Sequence, residues 1–342
     1  MHAHHRLAGM TDETPKKRRS RIRIVFYLLL FLIAAGGVAW LFGPREPVDL
    51  TVRFDPAAIG SDIDAWLAAN EAKFDDIRPN AAREIVWAYP ASHAKTPVAF
   101  AYLHGFSAAK AEIRPVPDMA AKELGANLFF SRLAGHGRDG DAMAEPTVND
   151  WIQDAAEAVA VSERLGEKVV LIATSTGGTL TALAASLPEL KDRIDGIVLV
   201  SPNFGVRASG AWVLTAPFAE NIVPLIIGHE RSFEPQNEGH AQNWTYRYPS
   251  VSVLPMAAMV KAAAALPFEQ IGVPALFVYH PDDQVVDQSV TARIAERWGG
   301  PSKSLVLDAS GDPSNHVNAG DIISPANNDA VASAIVEFVR GL

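Results

Sequence analysis

Residues Lys168–Leu180 read KVVLIATSTGGTL, an apolar run that passes through Ala173-Thr174-Ser175-Thr176-Gly177-Gly178 into a helical pattern. A strand that turns sharply into a helix presents the side chain at its apex, and a serine there is placed to attack a carbonyl carbon. Such a turn accepts only small residues two before and two after the serine, here Ala173 and Gly177. The pattern alone is common, because a serine at a helix start is ordinarily an N-cap. A hydroxyl also needs a base to take its proton, and the base needs a carboxylate to hold its tautomer. Two later segments supply both. His280-Pro281-Asp282-Asp283-Gln284-Val285-Val286-Asp287 follows the apolar run Ala275–Tyr279, and Asn315-His316-Val317 follows Ser304–Leu307. The chain order nucleophile, acid, histidine, each at the end of a strand, selects Ser175, Asp283 and His316. Asp282 and Asp287 are rival acids; Asp283 is preferred because Val285-Val286, two residues on, would pin its loop.

Attack on a carbonyl creates an oxyanion, which fixed N–H groups stabilise. Thr176, directly after the serine, offers one backbone donor. The other falls to Phe106, at the end of VAFAYLHGF (98–106), where Gly105 lets the backbone approach closely. The competing reading of Gly105 is an ordinary turn. His104 reads as a residue that orders this loop rather than as a base, and His93, His136, His229 and His240 as surface or loop residues.

Elements that would position these groups alternate along the chain. Short β-rich runs occur at Glu84–Tyr89, Val98–Leu103, Leu128–Arg132, Val169–Ala173, Gly196–Val200, Ala275–Tyr279 and Ser304–Leu307. Helical patterns fall at Pro115–Leu124, Trp151–Leu165, Gly178–Leu187, Gln288–Trp298 and Asn328–Val339. Wholly apolar strands alternating with helices predict a largely parallel sheet covered on both faces. Residues 44–60 read as a linker with an early strand in VDLTVRF, and Ser61-Asp62 as the cap of a helix reaching about Phe74. From about 203 to 270 no strand is evident. A structureless loop of that length is improbable, so the interval is expected to be a mostly helical cap. Its Trp212, Phe218, Phe233, Trp244, Tyr246, Tyr248 and Met256 either line an apolar pocket or, for most of them, form the cap's own core.

Ile24–Phe42 runs without a formal charge, long enough as a helix to reach about 28 Å, close to the hydrocarbon thickness of a bilayer. KKRRSRIR precedes it, so the expected arrangement is a basic cytoplasmic tail (1–23), a single-pass anchor in the inner membrane (24–42) and an extracytoplasmic domain beyond. A cleavable signal peptide ending near Gly37-Val38-Ala39 is the rival reading, and Trp40-Leu41-Phe42 argues against it by prolonging the apolar stretch. His2, His4 and His5 are read as part of an unstructured tail. A linker and helix (43–80) then lead to the main domain (81–342). Residues 1–23 hold seven of the 30 Lys/Arg and two of the 39 Asp/Glu, so the rest of the chain carries a net −14. Such a body repels phosphate backbones, and nucleic acid is not an expected partner. With no cysteine, disulfides, a thiol nucleophile and thiolate metal sites are excluded.

Taken together, Leu103-His104-Gly105-Phe106, Arg132-Leu133-Ala134-Gly135-His136-Gly137, the Ser175 elbow, Asp283-Gln284-Val285-Val286 and Asn315-His316 resemble the α/β-hydrolase superfamily over roughly residues 80–340. The similarity is to its monoacylglycerol lipase, lysophospholipase and carboxylesterase branch. Ala173 replaces the usual glycine, and Ala134 stands where proline is common. The resemblance implies an eight-stranded, mostly parallel sheet with a variable cap, and a cofactor-free, metal-free serine hydrolase. Its expected substrate is a small ester or lipid-like molecule. Amide, peptide or C–C hydrolysis by the same residues, and an inactive membrane-anchored binding domain, are the alternatives. Neither the acyl group nor the oligomeric state follows from sequence.

Overall fold

The computed structural model describes residues 15–342, with side chains from Arg23 onward. His2, His4 and His5, and the side chains of the basic cluster ahead of residue 23, lie outside the described residues. The chain divides into two compact units: residues up to Arg45 together with Ala216–Phe218, and the body comprising Glu46–Thr215 and Ala219–Leu342.

In the first unit, α1 (Pro15–Phe42) is a continuous helix. Its stretch Arg23–Phe42 spans 20 residues at a mean hydropathy of 2.5, and none of it is buried. Apolar residues such as Leu30 and Phe31 therefore face outward all round the helix.

The body opens with an irregular segment. VDLTVRF forms no strand, contrary to the alternation in its sequence. Its backbone is satisfied by side chains instead: Gln153 Oε1 accepts from the amides of Arg53 (2.7 Å) and Phe54 (2.8 Å), while Asn149 Nδ2 donates to Thr51 O (2.9 Å). With those groups occupied, the segment has no ladder to offer a sheet. Next come α2 (Ile63–Glu71), capped by Asp62, then β1 (Glu84–Val86), β2 (Thr96–Leu103), α3 (Val116–Leu124), β3 (Asn127–Phe130) and α4 (Val148–Leu165). The central crossover is β4 (Gly166–Thr174), α5 (Thr176–Ala184) and β5 (Gly196–Val200). After the cap follow β8 (Ala275–Tyr279), α9 (Gln288–Glu296), β9 (Ser302–Val306) and α10 (Asn328–Arg340). The cap itself contains α6 (Ala219–Ile227), β6 (Glu230–Ser232), α7 (Glu238–Asn243), β7 (Arg247–Pro249) and α8 (Val253–Ala264).

Among the described residues the main sheet has seven strands in the order β1-β3-β2-β4-β5-β8-β9, not the eight expected. All neighbours are parallel except β1 with β3. The cap departs from expectation too, since β6 and β7 pair as a small antiparallel ribbon. Side chains alternate across the strands. Ala101, Leu171, Leu199 and Phe277 enter one core with Trp151 of α4 and Leu180 of α5, while Tyr102, Ile172, Val200 and Val278 enter another with Val116 of α3 and Ile335 of α10. Helices thus cover both faces, which is the α/β-hydrolase arrangement. All functional candidates lie beyond the C-terminal ends of β2, β4, β8 and β9, the rim where such sheets hold ligands.

Candidate active site

Ser175 stands between β4 and α5 with φ +50°, a left-handed backbone for a non-glycine residue and a strained one. The surroundings hold it there: its amide donates to Val200 O (2.9 Å), and its carbonyl accepts from Thr179 (3.1 Å) and Asn203 (3.0 Å). Small neighbours are a geometric necessity. A Cβ on Gly177 would lie 2.3 Å from Leu103 O, and one on Gly105 would lie 2.6 Å from Glu112 Oε1 and 3.3 Å from Ser175 Cβ. Ala173 is fully buried in β4.

The serine side chain does not cap α5. Its Oγ lies 3.0 Å from His316 Nε2, and His316 Nδ1 lies 2.8 Å from Asp283 Oδ2. With the proton on Nδ1 donated to the carboxylate, Nε2 is left to accept the serine O–H. Asp283 is wholly buried and takes three more donors: Val285 N (2.7 Å) and Val286 N (3.0 Å) on Oδ1, and Gln288 Nε2 (2.9 Å) on Oδ2. The rival acids lie elsewhere. Asp282 is exposed, and Asp287 caps α9 by accepting from Ser289. Burial opposes a charged imidazole, but the hydrogen bond and charge of Asp283, with the charges of Glu112 and Asp312, outweigh it, so the His316 pKa stands above its ordinary value.

Thr176 opens α5, so its N–H has no partner within the helix. Phe106 follows Gly105, whose own N–H is taken by Glu112 Oε2 at 2.7 Å. Both residues border the cavity that contains Ser175. His104 is fully buried, and its Nδ1 donates to Gly105 O (2.9 Å) while its Nε2 accepts from Leu133 N (3.1 Å). Burial first, then the neighbouring His136, pushes its pKa down to about 3, which keeps the ring neutral and suited to both bonds. His93 is exposed and pairs with Asp64, and His229 is exposed as well. His240, read from sequence as peripheral, is buried in the cavity wall.

Sequence reasoning missed Glu112 and Gln288. Glu112 is buried beneath the loop that carries Phe106, where its Oε2 also accepts from Tyr102 Oη (2.8 Å), and Tyr102 Oη in turn meets Thr174 Oγ1 (3.0 Å), next to Ser175. One carboxyl therefore ties the loop of Phe106 to the elbow of Ser175. Burial raises its pKa, against the opposing hydrogen bonds. The available signal was a lone acid directly after the mostly small-residue run Ser107–Ala111, seven residues past Gly105.

The cavity measures about 780 Å³, and its wall is largely apolar, with Val206, Val213, Leu214, Val223, Ile226, Val253 and Met256 on the cap side. Of the cap residues singled out in sequence, Phe233, Trp244, Tyr248 and Met256 line it; Trp212, Phe218 and Tyr246 do not.

A protein-family model described as serine aminopeptidase, S33, matches residues 116–311. A thermostable monoacylglycerol lipase from Bacillus sp. (strain H-257) is 25% identical over 190 residues, covering 56% of this chain and 72% of that one. Among solved structures, a metagenome-derived lipolytic enzyme superposes with a TM-score of 0.64 at 20% identity, covering 78% of this chain and all of that one. A monoacylglycerol lipase from Paleococcus ferrophilus superposes with a TM-score of 0.55 at 16% identity, covering 76% of this chain and 98% of that one.

Proposed function

The chain belongs to the serine aminopeptidase S33 family of α/β-hydrolases and is a hydrolase of ester bonds, and from that premise we propose that Ser175, His316 and Asp283 carry the reaction through an acyl-enzyme. The observation that supports this most is the unbroken Ser175 Oγ, His316 Nε2, Nδ1, Asp283 Oδ2 chain of hydrogen bonds. His316 accepts the serine proton as Oγ bonds to the carbonyl carbon, and the Phe106 and Thr176 N–H groups hold the oxyanion. The imidazolium then protonates the leaving alcohol. Water, deprotonated by the same imidazole, attacks the acyl carbonyl and releases the acid and the free serine.

The apolar cavity supports an ester with an extended acyl group, of the lipid-like kind that the Bacillus relative's name indicates. The family's description favours amide cleavage as a second reading. A fluorophosphonate probe is expected to label the wild-type chain and spare Ser175→Ala. In a panel of p-nitrophenyl esters and aminoacyl-anilides, turnover is expected on the esters; turnover on anilides alone would transfer the assignment to the amide reading. A folded wild-type protein that takes no label would point to a binding domain instead.

The proposed organisation is a tail (1–23), an anchor (24–42) and a linker with α2 (43–80), then the catalytic domain (81–342) with its cap at about 203–270. An exposed 20-residue apolar stretch behind basic residues supports an inner-membrane anchor with the catalytic domain outside the cytoplasm. Such a chain is expected to resist extraction by alkaline carbonate and to be cut by protease added to spheroplasts. Release into the carbonate supernatant, or protection from the protease, would argue against that placement.

A further inference from the structure

The loop that presents His316 folds round a second carboxylate. Asp312 is buried, and its Oδ2 accepts from the amides of His316 (3.0 Å) and Val317 (2.9 Å) and from Ser314 Oγ (2.6 Å). Its Oδ1 accepts from Ser314 N (3.1 Å). Asn315, with φ +54°, makes the left-handed turn this wrapping needs, and its amide returns to Asp312 O (2.8 Å). Asp312 therefore holds the backbone of His316, as Asp283 holds its ring.

One more donor reaches Asp312 from the cap: Gln236 Nε2, at 2.9 Å from Oδ1. Gln236 is itself fixed by its amide on His240 Nδ1 (3.1 Å). Beside it, Asn237 Nδ2 donates to Ile322 O (2.8 Å), just beyond the histidine loop. Trp244, at the end of α7, shares a small apolar cluster with Val317, the residue after His316. The cap wall and the loop bearing the base are joined by hydrogen bonds and by packing, so displacing one displaces the other.

We infer that Asp312 is a positioning residue of the reaction, and that Gln236 couples the placement of the cap to the placement of His316. The inference rests on the proposed role of His316 as base. A glutamine that only lined the cavity would matter in proportion to how much of the cavity a substrate fills. One acting through Asp312 matters for every ester, because a misplaced base slows proton transfer whatever the acyl length.

The experiment compares p-nitrophenyl acetate with a long-chain p-nitrophenyl ester, using the full-length chain in detergent. Gln236→Ala is expected to lower kcat about fivefold to tenfold on both esters, with KM for the acetate changed by less than about twofold. Asp312→Asn is expected to lower kcat by about 10²-fold, because an amide turned either way points its NH2 at backbone donors. It should also move the acid limb of kcat/KM to lower pH, since Asp283, Glu112 and Asp312 are the carboxylates whose charges face the imidazole. A Gln236→Ala loss confined to KM on the long ester would overturn the coupling. An Asp312→Asn protein with wild-type melting and kcat within about twofold would overturn the positioning role. Should Asp312→Asn fail to fold, the Gln236 arm decides, since residue 236 is exposed. His316→Ala run alongside separates the two claims: full activity there removes the base assignment itself, whereas an inactive His316→Ala beside an unimpaired Gln236→Ala removes only the coupling.

Discussion

Ser175→Ala and His316→Ala are each expected to lower kcat on a p-nitrophenyl ester by about 10⁴-fold to 10⁶-fold, and the double variant by no more than either alone. The reason is geometric. With Oγ and Nε2 3.0 Å apart, the proposed nucleophile and base would act as one unit, either without the other contributing almost nothing. Stability should change little in the histidine variant. Asp283 would keep Val285 N, Val286 N and Gln288 Nε2 as donors, so no buried carboxylate is orphaned. Melting within a few degrees of wild type is the expected result. Losses that multiply in the double variant would mean that the two side chains act separately, and the acyl-enzyme scheme would have to be abandoned.

Asp283→Asn is expected to cost about 10⁴-fold in kcat while leaving the fold intact. Two amides fix the side chain, and both need an acceptor. The asparagine oxygen will therefore face Val285 and Val286, and its NH2 will face His316 Nδ1. A donor at Nδ1 places the imidazole proton on Nε2, where it blocks acceptance of the serine proton. The pH profile carries a second signature. In the proposed scheme activity needs the neutral imidazole, so kcat/KM is expected to fall as pH drops through the His316 pKa. In the wild type that limb is expected above the ordinary imidazole value of 6.5, because burial, which lowers the His316 pKa, is outweighed by Asp283 and its fellow carboxylates. Removing the Asp283 charge leaves burial opposed only by Glu112 and Asp312, so the limb shifts to lower pH. Rates measured between about pH 5 and 9 suffice; a limb that stays in place would show that another group sets it.

The alternation of apolar strands and helices is legible in the sequence because each buried strand is apolar on both sides. The observed Gly196–Val200 and Ala275–Tyr279 strands coincide with the expected ones for that reason. Legibility ends at the margins of the sheet. VDLTVRF has the right alternation, yet a strand exists only where a neighbour supplies a ladder, and side chains of α4 already occupy that backbone. The β6–β7 ribbon went unseen because its strands are three residues each and mostly exposed, too short for any periodicity.

Sequence by itself determined the local chemistry of this protein: the small residues that permit a strained serine between β4 and α5, the order of acid and histidine after their strands, the charge-free stretch Ile24–Phe42 and the family to which these belong. These are legible because each depends on neighbours within a few positions. Tertiary structure decided which of three nearby aspartates meets His316, that Gln288 and Glu112 brace the site, and that Asp312 and Gln236 join loop to cap. Those bonds link groups up to 76 residues apart, and their directions are set by where loops come to rest on the finished sheet. Periodicity records which side of an element is buried; it holds no record of where hydrogen bonds from different elements converge.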